Sequence, residues 1–154
     1  MKLSPIVVFV VTYAVFLISG FLFRIDRVWY DALAKPSWTP PGAVIGLIWA
    51  VLFGCIALSV ALLDAKAGLL NVSPWLITAI VTNWFLNQAF SYFQVTRKDW
   101  FLAGWDAALI AVTAWLVAYL AARVNPWSGW LYVPYALWSS FATYLSFLIW
   151  SLNR

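Results

Sequence analysis

The stretch Trp29-Tyr30-Asp31-Ala32-Leu33-Ala34-Lys35-Pro36-Ser37-Trp38-Thr39-Pro40-Pro41, running on into Gly42 and an uncharged apolar run that ends at Leu63, decides how the chain is read. Pro36, Pro40 and Pro41 each fix φ near −65° and remove a backbone donor, so positions 36–41 cannot be the interior of a helix. The preceding run, from Pro5 to Phe23, is also apolar, and Arg24, Asp26, Arg27, Asp31 and Lys35 gather between the two. A stiff, aromatic, charged segment thus joins two runs of membrane length. It reads either as a rigid connector or as a lid over whatever the apolar segments enclose.

Composition sets the solvent. The chain has 154 residues, of which 66% are hydrophobic and 9% charged, against roughly 25% charged in a soluble domain. Too little polar surface is available to coat a globule, so the reading is one small integral membrane domain. There is no histidine and no glutamate, and only one cysteine. A His-based metal site, a Ser-His-Asp or Cys-His catalytic set and an internal disulfide are therefore excluded, and no metal site is expected. The net charge of +4 comes from residues scattered at segment ends, which does not point to nucleic acid.

Hydrophobic run length and proline placement predict an all-α bundle of five transmembrane helices, at about 5–23, 41–63, 74–96, 99–122 and 130–152, with a lid loop at 24–40. Nineteen residues at 1.5 Å rise span about 28 Å, close to a bilayer core. Ser4-Pro5 and Ser73-Pro74 read as caps followed by first-turn prolines, Asp99 as the cap of the fourth segment, Asp64 as the end of the second, and Pro134 as a residue of about the first turn of the fifth. Counting Lys2, Lys66 and Arg123 on one side against Arg24, Arg27, Lys35, Arg97, Lys98 and Arg154 on the other predicts that the proline-rich loop and the C-terminus are cytoplasmic and the N-terminus lies across the membrane.

Three patterns inside the segments carry chemistry. Gly42, Gly46, Ala50 and Gly54 recur every four residues, a stripe that lets another backbone approach: a neighbouring helix of the same bundle first, a dimer face second. Asn83, Asn87, Phe90 and Gln94 share one face of the third segment. Amides are costly in hydrocarbon, so that face should look into the bundle or a cavity, either bonding between helices or orienting a ligand. Asp106 lies two turns inside the fourth segment and needs a donor, for which Arg97, Lys98, Arg24, Arg27 and Lys35 are candidates. Twelve tryptophans exceed what an interfacial belt needs, and Trp49 with Phe53, and Trp138 with Ala142, fall on helical stripes. Aromatic walls with a few amides suit a flat, apolar, weakly polar ligand.

These residues together resemble a known family. Trp29-Tyr30, Lys35-Pro36-Ser37-Trp38-x-Pro40-Pro41, Trp49, Leu86-Asn87, Asp106 and Pro134-Tyr135-x-x-Trp138-x-x-Phe141-Ala142-Thr143-x-Leu145 look like the signature of the translocator protein / tryptophan-rich sensory protein family, also called the peripheral benzodiazepine receptor family. The resemblance implies a five-helix bundle, usually a homodimer in a lipid bilayer, with a pocket under the first loop that takes porphyrins such as protoporphyrin IX and needs no further cofactor. The positions matching that pocket are Gly20, Tyr30, Pro40, Trp49, Phe53, Asn87, Phe90, Trp138 and Ala142. It also implies, as an alternative, an enzyme that degrades protoporphyrin IX with light and oxygen, in which Trp49 and Trp138 would be the catalytic residues. A transporter of tetrapyrroles or sterols is a further alternative, and a structural helper of a partner complex another. The chain departs from the pattern at Ser91-Tyr92, where prolines are common, and at Ser146. It lacks the C-terminal L/V-x-Y-x-K/R pattern associated with cholesterol, because Tyr144 stands ten residues before Arg154; this counts against cholesterol as the ligand.

Overall fold

In a computed structural model describing residues 3–154, six α-helices account for most of the chain, and among the described residues there is no strand. They are α1 (Pro5–Leu22), α2 (Arg27–Ala32), α3 (Gly42–Ala67), α4 (Pro74–Ser91), α5 (Trp100–Ala122) and α6 (Pro126–Leu152). A 3₁₀ turn at Leu69–Asn71 follows α3, and a π-helical turn at Tyr92–Thr96 continues α4. Lys2, which entered the charge count above, lies outside the described residues.

The five long helices close into a ring. α1 packs on α3, α3 on α6, α6 on α5, α5 on α4, and α4 back on α1. The pair α5–α6 is the most intimate, and its sequence explains why. Ala103, Ala107, Ile110, Ala114, Val117, Ala118 and Ala121 present a buried face of mostly small side chains on α5. Opposite them, Gly129 lies so close that a Cβ there would stand 2.5 Å from Ala122 Cβ and 2.7 Å from the Ala118 carbonyl oxygen. In lipid, such backbone approach supplies the dispersion contact that hydrophobic burial supplies in water.

α1, α3 and α5 are long and apolar enough to cross a membrane. α4 and α6 contain no charged residue, but α4 carries Asn83, Asn87 and Gln88, and α6 is rich in tryptophan, tyrosine and serine, which lowers their mean hydropathy. Three hydroxyls of α6 are satisfied within the helix: Ser139, Ser140 and Thr143 each donate to the carbonyl four residues back.

The helix ends differ from expectation in five places. α3 runs on past Leu63 to Ala67, because Asp64 does not end it. The Asp64 side chain is buried (1% exposed) and accepts from the backbone N–H groups of Leu3 (2.8 Å) and Leu69 (2.9 Å), and the helix stops instead at Gly68, whose φ of 80° suits glycine. α6 begins at Pro126, not Trp130, since Asn125 Oδ1 accepts from Trp127 N at 3.1 Å and Pro126 suits the first turn. Pro134 is therefore inside α6, past its first turn. α4 gives way to the π-helical turn at Tyr92, and Ser4 and Ser73 make no side-chain cap bond. Asp99 does cap α5, accepting from Leu102 N at 2.9 Å.

The 24–40 segment is more ordered than a loop. Asp26 caps α2 by accepting from Trp29 N at 3.1 Å, and its other carboxylate oxygen accepts from the Lys98 ammonium at 2.9 Å. Asn153, past the end of α6, holds Ala34 from both sides, accepting from its N–H and donating to its carbonyl. Pro36 to Thr39 is a turn, with Thr39 N donating to Pro36 O.

Two predictions follow from these contacts. Gly129→Ala should destabilise the protein by about 1–3 kcal/mol, the usual range for overpacking, read as a fall in the thermal midpoint in detergent; Gly46→Ala, whose Cβ would meet nothing within 4 Å, should leave it unchanged. The Lys98 bond, with the Trp29 N–H beside it, holds Asp26 below its ordinary 3.8. A depressed carboxylate stabilises above its unfolded value and ceases to as pH falls through its folded one. Amide exchange in 27–32, corrected for intrinsic pH dependence, should thus stay slow at mildly acidic pH and rise only below 3.8, whereas Asp26→Asn should exchange fast at every pH.

Candidate ligand site

The polar stripe of α4 faces inward. Asn83 is fully buried and Asn87 nearly so. The Tyr135 hydroxyl donates to Asn83 Oδ1 at 3.0 Å, while Asn83 Nδ2 donates to the Ile110 carbonyl (3.0 Å) and to Thr113 Oγ1 (2.8 Å). One amide thus ties α4 to both α5 and α6. Asn87 Nδ2 donates to the Tyr135 hydroxyl at 3.3 Å. Among the described residues no donor reaches Asn87 Oδ1, so the second amide keeps an acceptor in reserve.

Asn87 lies on the wall of a cavity of about 250 Å³. Leu17, Ser19 and Gly20 line it from α1, and Ile25 and Tyr30 from the 24–40 segment. Gly42, Ile45, Gly46, Trp49, Ala50 and Phe53 of α3 and Asn87, Phe90 and Ser91 of α4 complete it, with Gln94 from the π-helical turn. Gly42, Gly46 and Ala50 are thus not a helix-packing stripe. They provide the room for the cavity, and Gly20, Gly42 and Gly46 are exposed, so it opens sideways between α1 and α3. A Cβ on Gly54, lower on the same stripe, would meet the Tyr13 ring of α1 at 4.0 Å, whereas one on Gly42 would meet the Tyr30 ring of the lid at 3.8 Å.

Behind it is a smaller chamber of about 30 Å³, which shares Tyr30, Ile45, Trp49, Phe90 and Gln94 with the first. It adds Trp138, Ala142 and Ser146 of α6 and Trp100 of α5. Trp49 is the common wall. Its ring lies 5.7 Å from Phe53, 6.1 Å from both Phe90 and Tyr135, and 6.2 Å from Trp138, edge to face at 83°. The indole N–H groups of Trp138 and Trp100 are buried with no acceptor among the described residues.

Of the residues singled out from sequence, Gly20, Tyr30, Trp49, Phe53, Asn87 and Phe90 therefore meet around the larger cavity, and Trp138 and Ala142 around the smaller. Pro40 lines neither; its part is to stiffen the entry into α3. Ser19, Ile45, Ser91, Gln94 and the α3 glycines line the site without having been assigned to it. Gln94 was visible as the last member of the amide stripe. The glycines were visible too, but a four-residue period signals close packing and empty space alike.

The cover over the cavity is held by its own cation. The Lys35 ammonium donates to the carbonyl oxygens of Tyr30 and, at 3.2 Å, Leu33, closing the C-terminal end of α2, and it stands 4.6 Å from the centre of the Tyr30 ring. Tyr30 is 7% exposed, and this burial, with Asp31 adjacent, pushes its hydroxyl above the ordinary 10.0. The hydroxyl is therefore a neutral donor at physiological pH.

Asp106 does not receive the donor expected for it. Lys98 turns outward to Asp26, Lys35 to the carbonyls of α2, and Asp106 Oδ2 is buried without a partner among the described residues. The same is true of both amide atoms of Gln88, the residue that fell off the polar stripe.

The chain was compared with known proteins. The profile of the TspO/MBR family matches residues 6–151. Relatives include the tryptophan-rich protein TspO of Bacillus cereus, 52% identical over 153 residues and covering 99% of both chains. The tryptophan-rich sensory protein of Cereibacter sphaeroides is 30% identical, over 88% of this chain and 82% of its own. The human translocator protein is 28% identical, over 82% of this chain and 75% of its own. An all-helical ring with long apolar helices, matched from end to end by one membrane-protein family, belongs to the TspO/MBR family.

Proposed function

We propose that this chain is a five-pass membrane receptor or sensor that takes a flat hydrophobic ligand, a porphyrin of the protoporphyrin IX kind, into the cavity beneath residues 24–40. The single observation that carries the reading is Trp49, an aromatic partition between two chambers, flanked by Phe53, Phe90 and Trp138 and faced by the unused acceptor of Asn87. The uncharged lengths of α4 and α6 and the closed ring of five long helices support five crossings. The names of the relatives, sensory protein and translocator protein, agree with a small-molecule role.

The chambers are small beside the ~300–1,000 Å³ of ordinary ligand pockets. A tetrapyrrole would need them joined, and a rotation of Trp49 about its side-chain bonds is the least costly way to join them. The ligand enters from the bilayer through the gap at Gly20 and Gly46, and its ring stacks between Trp49, Phe90 and Trp138. Asn87 Oδ1 and the Tyr30 hydroxyl address its polar edge. Lys35 is already engaged, so Arg27, exposed and without a partner among the described residues, is free to meet propionates at the lid. The excess of Arg and Lys at the lid end supports a cytoplasmic lid. A homodimer is the assembly the family resemblance supports.

The test is a titration with protoporphyrin IX in detergent, in the dark, followed by tryptophan quenching. Wild type should saturate. Trp138→Phe with Asn87→Ala should weaken binding by about tenfold or more, the equivalent of one lost hydrogen bond and part of a stacking contact. Equal, unsaturable quenching in both would mean partitioning into the micelle and would sink the reading.

The edge-to-face pair Trp49–Trp138 at 6.2 Å favours one second reading, light-driven oxidation of bound protoporphyrin IX by molecular oxygen with these indoles as the redox-active groups. Under illumination in air this predicts one defined product that disappears in Trp138→Phe at saturating ligand. A spread of bleaching products, the same in both proteins, would leave receptor function alone.

A further inference from the structure

At the lid end of the bundle, outside the chambers, is another recess of about 360 Å³. Trp29, Trp100 and Trp150 supply its apolar walls, and Arg97 and Lys98 its cations. Two features of it are unfinished. The first is charge. Lys98 is balanced by Asp26 at 2.9 Å, and the Asp99 carboxylate, which also lines the recess, accepts from Leu102 N as the cap of α5. The Arg97 guanidinium has no hydrogen-bond or ion-pair partner among the described residues. The second is a donor. Trp100 is 6% exposed, yet its Nε1–H has no acceptor among the described residues, and buried N–H groups are nearly always paired.

A third observation gives the shape of what could complete them. Below Trp150, aromatic rings descend the outside of α5 and α6. Trp150 lies 5.0 Å from Phe101, Phe101 6.2 Å from Phe147, and Phe147 5.6 Å from Trp105. Phe101 and Trp105 are 40% and 57% exposed. With α5 and α6 crossing the bilayer, this track faces acyl chains, while the recess sits at head-group level, where tryptophan, arginine and lysine collect.

We propose that the recess binds the phosphate of an anionic phospholipid, with one acyl chain lying along the Phe101, Phe147 and Trp105 rings. The phosphate oxygens accept from the Arg97 guanidinium, a charge-assisted pairing suited to phosphate, and from Trp100 Nε1. Trp100 also lines the smaller inner chamber, so the lipid and the interior ligand share one ring as a wall. An isolated phosphate would use the cation and leave the aromatic track bare; a zwitterionic lipid would use the track and bring a second positive charge to Arg97. The anionic lipid uses both without that added charge.

The experiment takes the full-length protein in detergent and offers it, separately, phosphatidylglycerol, phosphatidylcholine of matched chains, and inorganic phosphate. Lipid retained is read by native mass spectrometry and the thermal midpoint is followed in parallel. Phosphatidylglycerol should be retained and raise the midpoint, while the other two should do neither. Arg97→Gln should weaken phosphatidylglycerol retention by about tenfold, the loss of one charge-assisted bond, and Trp100→Phe, which removes the N–H and keeps a ring, should weaken it as well. Arg123→Gln, at the opposite end of the bundle, should retain it as wild type does. Equal retention of both lipids, or undiminished retention by Arg97→Gln, would reduce the contact to ordinary annular lipid and overturn the proposal. A midpoint raised equally by inorganic phosphate would overturn it too, in favour of a simple anion site.

Discussion

The bonds from Asn83 to Tyr135, Ile110 and Thr113 are the constraint on which the rest of the ring depends. In hydrocarbon an unpaired amide is costly, and no water competes for its bonds. Asn83 satisfies its oxygen on α6 and its nitrogen on α5, so three helices are fixed in rotation and in depth by one side chain. That registration orients the α4 face, and four residues on it places Asn87 against the same tyrosine but with its oxygen turned free. Structure and site therefore share one element: Asn83 determines where Asn87 and Phe90 must look.

The α5–α6 pair does the complementary work. Alanines on α5 and Gly129 on α6 bring the two backbones together at one end, while α3, with Trp49 and Phe53 facing inward, packs on α1 and α6 but makes no close packing with α4. A bundle that is tight on one side and loose on the other encloses its void off-centre, and the void opens where the α3 glycines lack side chains. Four charged and polar side chains then draw the lid down. Asp26 with Lys98, and Asn153 with Ala34, anchor it at both ends, and Lys35 folds back over the Tyr30 ring at the C-terminal end of α2.

Much of this was legible in the sequence. Run lengths and first-turn prolines located the long helices, because the membrane fixes both the length and the polarity of what crosses it. The α4 stripe announced an inward face, since asparagines spaced by four have no other affordable direction in lipid. What the sequence left ambiguous has physical causes. Gly42-x-x-x-Gly46 reads the same whether a helix or a ligand fills the gap, and only the positions of α1 and α4 decide it. Asp64 looked like a helix end because a carboxylate in an apolar run usually is one; the backbone N–H groups of Leu3 and Leu69, distant in sequence or beyond the turn, let it stay inside. Asp106 was matched to the loop cations on grounds of depth alone, whereas Lys98, in a left-handed turn with φ of 54°, aims at Asp26.

The distribution of cations says something about how recognition is divided. Lys35 is engaged by α2 carbonyls and Lys98 by Asp26, and no cation or ionised partner lines either inner chamber. The interior offers rings and uncharged polar groups, among them the Asn87 oxygen, the Tyr30 hydroxyl, Gln94 and Ser91, which select for flatness and apolar area and offer an acid no opposite charge. Charge recognition is left to the surface: Arg27 at the lid and Arg97 beside Trp100. For a molecule with an apolar macrocycle and acidic side chains, that arrangement sets an orientation, with the macrocycle inward at the level of Trp49 and the acids outward at the interface. The burial that would make an anion expensive inside the bundle would thus keep such a molecule pointing one way.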